Sequence, residues 1–167
     1  MAISFEAVYE QIKSRLGQTR LVAIGKINQR DMERFAVAVG DSNPLFFDHA
    51  FAREHGYPGA IAPPLYLSSV LGWEPGPPED SLRPDGTPHD DAMAVPIRGL
   101  RVMGGGQELE FHQPVTAGMD VMMEFSVSQA ELKQGRSGPL LVVQLQKRFL
   151  TTDGSPIVTC RENFIAR

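Results

Sequence analysis

The sequence predicts an α+β fold: one antiparallel sheet with helices gathered on one face. Two observations carry this. The first half holds short amphipathic segments with helical spacing and capping residues. From Glu108 onward the apolar residues alternate instead, and Gly/Pro breaks separate the runs. At 167 residues the chain fits a single domain spanning 1–167. Such a domain buries about 70% of its unfolded surface, enough for a core without disulfides or metals.

The helices come first. Ser4 can cap a helix whose Phe5, Val8, Ile12 and Leu16 share a face, with Gly17 as the stop. Leu21 to Ile27 reads as a short strand. Asn28 is an N-cap for a second helix, and Asp31 can answer it as in a capping box. Met32, Phe35, Ala36 and Val39 form its apolar stripe, and Gly40 ends it. Asp48 can cap a third, short helix through Phe51 and Ala52 to His55, stopped by Gly56. Ala62-Pro63-Pro64 then leads into Leu65-Tyr66-Leu67. Proline suits a first helical turn, so Pro64 to about Trp73 reads as a buried helix.

Residues 74–96 differ in composition. They hold six prolines and six acids against one base, Arg83. An acidic, Pro-rich loop within the domain is expected there, because long irregular connections are uncommon in compact domains.

The strands follow. Leu109 and Phe111 fall on one face of 108–112. Val121, Met123, Phe125 and Val127 alternate with polar neighbours. Leu141, Val143, Leu145 and Phe149 lie two or four apart. Asp153-Gly154 is a hairpin turn signal before a return over Ile157–Ile165.

Composition excludes several classes. The net charge of −4 offers no basic nucleic-acid footprint. One cysteine, Cys160, excludes an internal disulfide framework. No apolar run approaches the roughly 18 residues of a membrane span, and the start lacks a signal-peptide pattern, so a cytoplasmic protein without membrane contact is expected. His49, His55, His89 and His112 lack the spacing of a zinc site, and no metal or cofactor is expected. Gly104-Gly105-Gly106 opens no helix and reads as a turn or bulge. Arg98, Arg101, Lys147 and Arg148 could meet an anionic phosphate, but as strand residues they read as the solvated face of the sheet.

The run Gly40-Asp41-Ser42-Asn43-Pro44-Leu45-Phe46-Phe47-Asp48 stands apart. Asp41 and Asn43 can build Asx-turns with their own side chains, and Asn-Pro favours turn initiation. The same residue types suit the hydration of an unsaturated thioester. That reaction needs a held, deprotonated water and hydrogen-bond donors for the thioester oxygen as enolate charge develops. Structural and catalytic roles both stand for Asp41 and Asn43 at this point.

With these residues the sequence resembles the MaoC-like family of (R)-specific enoyl-thioester hydratases and 3-hydroxyacyl-thioester dehydratases. The family motif runs Gly-Asp-x-Asn-Pro-Ile/Leu-His-x-Asp, followed by an Ala-His-Gly step into a central helix. Gly40, Asp41, Asn43, Pro44, Leu45 and Asp48 match, and so does the spacing to Ala62. Phe111 to Gly118, with Asp120 after Met119, resembles a second, strand-to-turn motif. The resemblance implies a hot-dog fold, with an antiparallel sheet wrapped around one central helix. It further implies a homodimer or a heterodimer with a catalytic MaoC-like chain, binding an acyl thioester of coenzyme A or acyl carrier protein.

Two departures define this chain. Phe46 stands where the family has its catalytic histidine. Ala62-Pro63-Pro64 replaces Ala-His-Gly, so the position expected to donate an N–H is a proline. Losing one oxyanion donor costs roughly a hundred- to a thousandfold in rate, and losing the base a further hundred- to ten-thousandfold. The pattern resembles the N-terminal-type, non-catalytic half of two-part dehydratases. It implies an acyl-thioester-binding subunit, a hydro-lyase only within a complex. Phe46, Phe47, Ala62, Pro63, Pro64, Leu65 and Tyr66 are its expected substrate-binding residues. Two alternatives remain: a self-sufficient homodimeric hydratase using Asp41 with Asn43 orienting water, or a non-enzymatic binding or assembly module. His49, about one helical turn beyond Phe46, is a further candidate base.

Overall fold

The computed structural model describes residues 4–69, 78–82, 84, 86 and 100–167. Five strands form one antiparallel sheet in the order β1-β3-β4-β5-β2: β1 Thr19–Lys26, β2 Val102–Phe111, β3 Asp120–Gly135, β4 Gly138–Thr151 and β5 Pro156–Ala166. Among the described residues, four α-helices accompany it: α1 Phe5–Lys13, α2 Gln29–Ala38, α3 His49–Glu54 and α4 Tyr66–Ser69. The α+β expectation therefore holds, and the order of helices and strands follows the sequence patterns. Among the described residues, no helix is long and apolar enough to cross a membrane.

The caps work as their chemistry dictates. Ser4 Oγ accepts from the Ala7 amide, Asn28 Oδ1 from Arg30, and Asp48 Oδ1 from Ala50 and Phe51. Asp31 does not complete a capping box on Asn28; it pairs instead with Arg34 at 3.5 Å on the exposed side of α2. Met32 and Ala36 are buried and Phe35 half-buried. Val39, counted in the same stripe by its spacing, is the C-cap of α2 and is 56% exposed. Leu16 likewise lies beyond the end of α1 and is exposed.

The long β3–β4 ladder pairs Val121 with Thr151 at one end and Gly135 with Gly138 at the other. The Gly104–Gly106 run is a bulge in the β2–β5 ladder. A Cβ at Gly105 would lie 3.1 Å from the Asn163 carbonyl oxygen, so glycine permits the close approach there.

The core forms two clusters. One gathers Met32, Ala62, Tyr66, Leu67, Phe149, Ile157 and Cys160 among others. The second is built around Ile12, Phe125, Leu141, Val143 and Leu145. Between them the sheet corrects an expectation. Lys147 is not on the solvated face: it continues the inward row of Leu141, Val143 and Leu145 toward Phe149, and only 5% of it is exposed. Burial is tolerated because Nζ lies 2.8 Å from Glu162 Oε2 on β5. Arg148, one residue on, points the other way and pairs with Glu124 at 2.6 Å. Arg101 is exposed as expected, whereas Arg98 lies outside the described residues. So do His89, most of the 74–96 segment and the helix expected beyond Ser69.

Candidate functional site

Three stretches far apart in sequence meet at one corner of the sheet. The first is the turn after α2. Gly40, at φ 73°, takes the left-handed conformation that ends a helix without side-chain penalty. Its N–H donates to the Val37 carbonyl and that of Asp41 to Ala36, the paired bonds of a Schellman C-cap. Asp41 Oδ1 then accepts from the Asn43 N–H at 3.1 Å, and Asn43 Oδ1 from the Leu45 N–H at 3.0 Å. Pro44 opens a 3-10 turn over Pro44–Phe46. The side chains of Asp41 and Asn43 are thus both engaged in shaping the turn, and both residues are exposed.

The second stretch is 59–66. The Ile61 N–H donates to the Leu45 carbonyl at 3.0 Å, which ties it to the turn. The third is the 111–119 segment. The Ala62 N–H donates to the Val115 carbonyl at 2.8 Å, and Ile61 bridges Thr116. Gly118 and Met119 exchange backbone bonds with Ile27, just ahead of α2.

Phe46 is 4% exposed, so its ring points into the protein. Ala62, Pro63 and Tyr66 are also buried, while Pro64 and Leu65 are exposed. Phe47 is 37% exposed. It lines a shallow groove of about 400 Å³ with Arg30, Glu33, Arg34, Val37 and Ala38 on the outside of α2. The expected binding residues therefore divide: Phe46, Ala62, Pro63 and Tyr66 face inward, and Phe47, Pro64 and Leu65 face outward.

Just ahead of α4 the Ala62 amide is already engaged with Val115, and Pro63 and Pro64 carry no N–H. Tyr66 stands edge-on to Phe35, with ring centroids 5.6 Å apart. Burial raises its phenol above the ordinary value, and the negative charge of Asp31 adds to the effect. The inner wall of this corner is accordingly aromatic and aliphatic.

Two of the described histidines, His49 and His112, are occupied elsewhere. His49 Nδ1 accepts from the Ala60 N–H at 3.1 Å, which fixes the ring to the 59–62 stretch. His112 Nε2 lies 3.0 Å from Thr159 Oγ1. Among the described residues no group of His, Cys, Asp and Glu could hold a metal ion. A Cβ at Gly59 would stand 2.9 Å from His49 Nδ1. Gly59→Ala is therefore expected to push the imidazole off the Ala60 amide and lower stability by about 1–3 kcal/mol. Chemical denaturation measures this, and an unchanged midpoint would show that the His49–Ala60 contact holds nothing in place.

The sequence puts Lys147 on the solvated face and does not relate it to Glu162, yet buried Lys147 and half-buried Glu162 form an ion pair. The signal was present: position 147 falls in the gap of the Leu145–Phe149 alternation. Cys160 lies opposite Lys147 in the β4–β5 ladder and takes a hydrogen bond from Gln107 Nε2 at 3.1 Å. Burial pushes the Cys160 thiol up, further from a reactive thiolate.

A family model for the FAS1-like dehydratase domain region matches residues 22–160. The chain belongs to this family. As a FAS1-like dehydratase-region protein it is 26% identical over 145 residues to a UPF0336 protein of Saccharopolyspora erythraea, covering 85% of this chain and 81% of that one. A shorter stretch of 57 residues is 37% identical to the alpha subunit of 3-oxo-4,17-pregnadiene-20-carboxyl-CoA hydratase from Mycobacterium tuberculosis, covering 34% of this chain and 18% of that subunit. Among solved structures, the ChsH1-ChsH2 complex from Mycobacterium tuberculosis is similar with a TM-score of 0.71 at 22% identity, covering 96% of this chain and 88% of that one. The fold of this FAS1-like dehydratase-region protein is the MaoC-like hot dog.

Proposed function

We propose that this chain, acting as one hot-dog unit, is the acyl-thioester-binding subunit of an (R)-3-hydroxyacyl-thioester dehydratase, or enoyl-thioester hydratase. A second MaoC-like chain with an intact histidine supplies the chemistry. One observation carries the reading: Phe46, at the motif position where the resemblance implies a histidine, is buried, and the turn around it is held by Asp41 and Asn43. The prolines at 63 and 64 and the engaged Ala62 amide point the same way, since they withdraw donors from a thioester oxygen.

The relatives support a two-chain arrangement. One is a structure of a complex of two differently named chains, and another is the alpha subunit of a CoA hydratase. In this reading Phe46, Ala62, Pro63 and Tyr66 shape an apolar wall for the acyl group. Phe47, Pro64 and Leu65 lie at its outer rim, where a thioester carrier or a partner chain would arrive. The partner is a catalytic hot-dog chain, and the ligand an acyl thioester of coenzyme A or acyl carrier protein.

Asp41 and Asn43 then serve the turn rather than proton transfer. Asp41→Asn keeps an Oδ1 acceptor for the Asn43 amide, so the assembled pair is expected to retain activity within about threefold. Steady-state kinetics of the complex measure this. A loss of a hundredfold or more would assign the acid–base role to Asp41 and favour the self-sufficient hydratase instead.

A further inference from the structure

At ten residues, β2 is the longer of the two strands that end the sheet. Among the described residues it pairs with β5 alone, so its other side offers a row of unpaired N–H and C=O groups. Neither proline nor lysine guards this edge. Its two acids, Glu108 and Glu110, lie toward Arg161 of β5, at 3.7 and 3.8 Å.

The two faces of β2 follow from its partners on β5. Val102, Gly104, Leu109 and Phe111 stand opposite Ala166, Phe164, Cys160 and Val158, which belong to the core clusters or pack against them. Gln107, opposite Glu162, shares that face. Yet Val102 is 39% exposed and Phe111 52%, so these core-side positions are left open. Leu109 is half-buried against the cluster that holds Ala62 and Tyr66, which brings the open face up to the candidate site. Gly105 is the extra residue of the bulge, because Gly104 pairs with Phe164 and Gly106 with Asn163. It shifts the alternation of β2 by one residue.

With that shift the strand is complementary to itself. Two copies laid antiparallel about a two-fold axis through Gln107 each skip their own Gly105. Core-side residues then meet core-side residues along the whole strand. Val102 meets the second copy's Phe111, Gly104 meets Leu109, and Gln107 meets its own equivalent. On the outer side Met103 meets Glu110 and Gly106 meets Glu108, so no two carboxylates face each other. Large residues fall against small ones, as close packing requires.

We propose that the free edge of β2 is the interface with a second copy of this chain, which joins it in this register to form one continuous sheet. The pairing satisfies the unpaired backbone groups and covers Val102, Leu109 and Phe111 in one step. It leaves the rim at Phe47, Pro64 and Leu65 to other partners, and it does not depend on the thioester-binding reading.

Sedimentation velocity of the full chain across a concentration series tests this. A dimer is expected. Phe111→Glu sets a carboxylate against the second copy's Val102 and should weaken the dimer at least about thirtyfold. Circular dichroism checks that this variant folds. Cross-linking tests the register, and decides alone should Phe111→Glu not fold. Directly opposed residues of an antiparallel pair have Cα atoms about 4.5–5.5 Å apart, within disulfide reach. In a Cys160→Ala background, Gln107→Cys should join two copies under mild oxidation. Val102→Cys, roughly 30 Å from its own equivalent, should not. A monomer throughout the series, a dimer indifferent to Phe111→Glu, or equal cross-linking of both cysteine variants overturns the inference. So does a chain that is monomeric alone and gains mass only with a catalytic MaoC-like chain, since the edge then belongs to that chain.

Discussion

Replacing Lys147 with methionine is expected to lower the unfolding free energy by about 3 kcal/mol. Removing one partner of a buried ion pair leaves the other charge desolvated and unpaired, which typically costs about 3–5 kcal/mol. The lower end applies because the Glu162 side chain retains 23% exposure and can recruit some water. The double variant Lys147→Met/Glu162→Leu removes both charges and places apolar groups in the seam between the two core clusters. It should recover most of the loss, and the difference between single and double variants measures the coupling. Urea denaturation reads both: the midpoint should fall in the single variant at an unchanged slope. Single and double variants of equal stability would contradict a coupled pair.

The second large effect concerns turnover. Catalysis of enoyl-thioester hydration demands a base for water and donors for the developing enolate oxygen. Phe46 is buried and cannot take a proton. Pro63 and Pro64 have no N–H, and the Ala62 amide is bonded to Val115. His49, the nearest imidazole in sequence, is held by the Ala60 amide. Combining the two missing contributions, the isolated chain should hydrate an enoyl-CoA at least about ten-thousandfold more slowly than its assembly with a catalytic partner.

Much of this fold was legible in the sequence because its signals are local. Ser4, Asn28 and Asp48 cap helices through bonds to backbone within three residues. Gly40 and Gly154 take positive φ at turns their neighbours announce. The alternation of Val121, Phe125 and Val127 survives as an inward row. What was missed depends on distant partners. Val39 has the spacing of its stripe, yet α2 ends at Ala38 and the chain turns away. Lys147 looked like a solvated strand residue because its charge suggested water; the counter-charge that buries it sits fifteen residues later on β5.

The geometry of the 40–48 turn was legible to the same degree. The motif places Asp41, Asn43 and Phe46 in one turn, and the structure adds what each does there. Only the fold could show that the acceptor of the Ala62 amide is Val115, or that His49 anchors a neighbouring loop. Those bonds join segments that sequence spacing alone does not relate.

The most direct test is an enoyl-CoA hydration assay of the purified full chain, alone and after mixing with a MaoC-like chain that carries the motif histidine. The expected result is negligible turnover alone and a rise of at least about ten-thousandfold on assembly, beyond the rate of the partner by itself. Full activity from the isolated chain, or a partner whose rate is indifferent to this chain, would contradict the account.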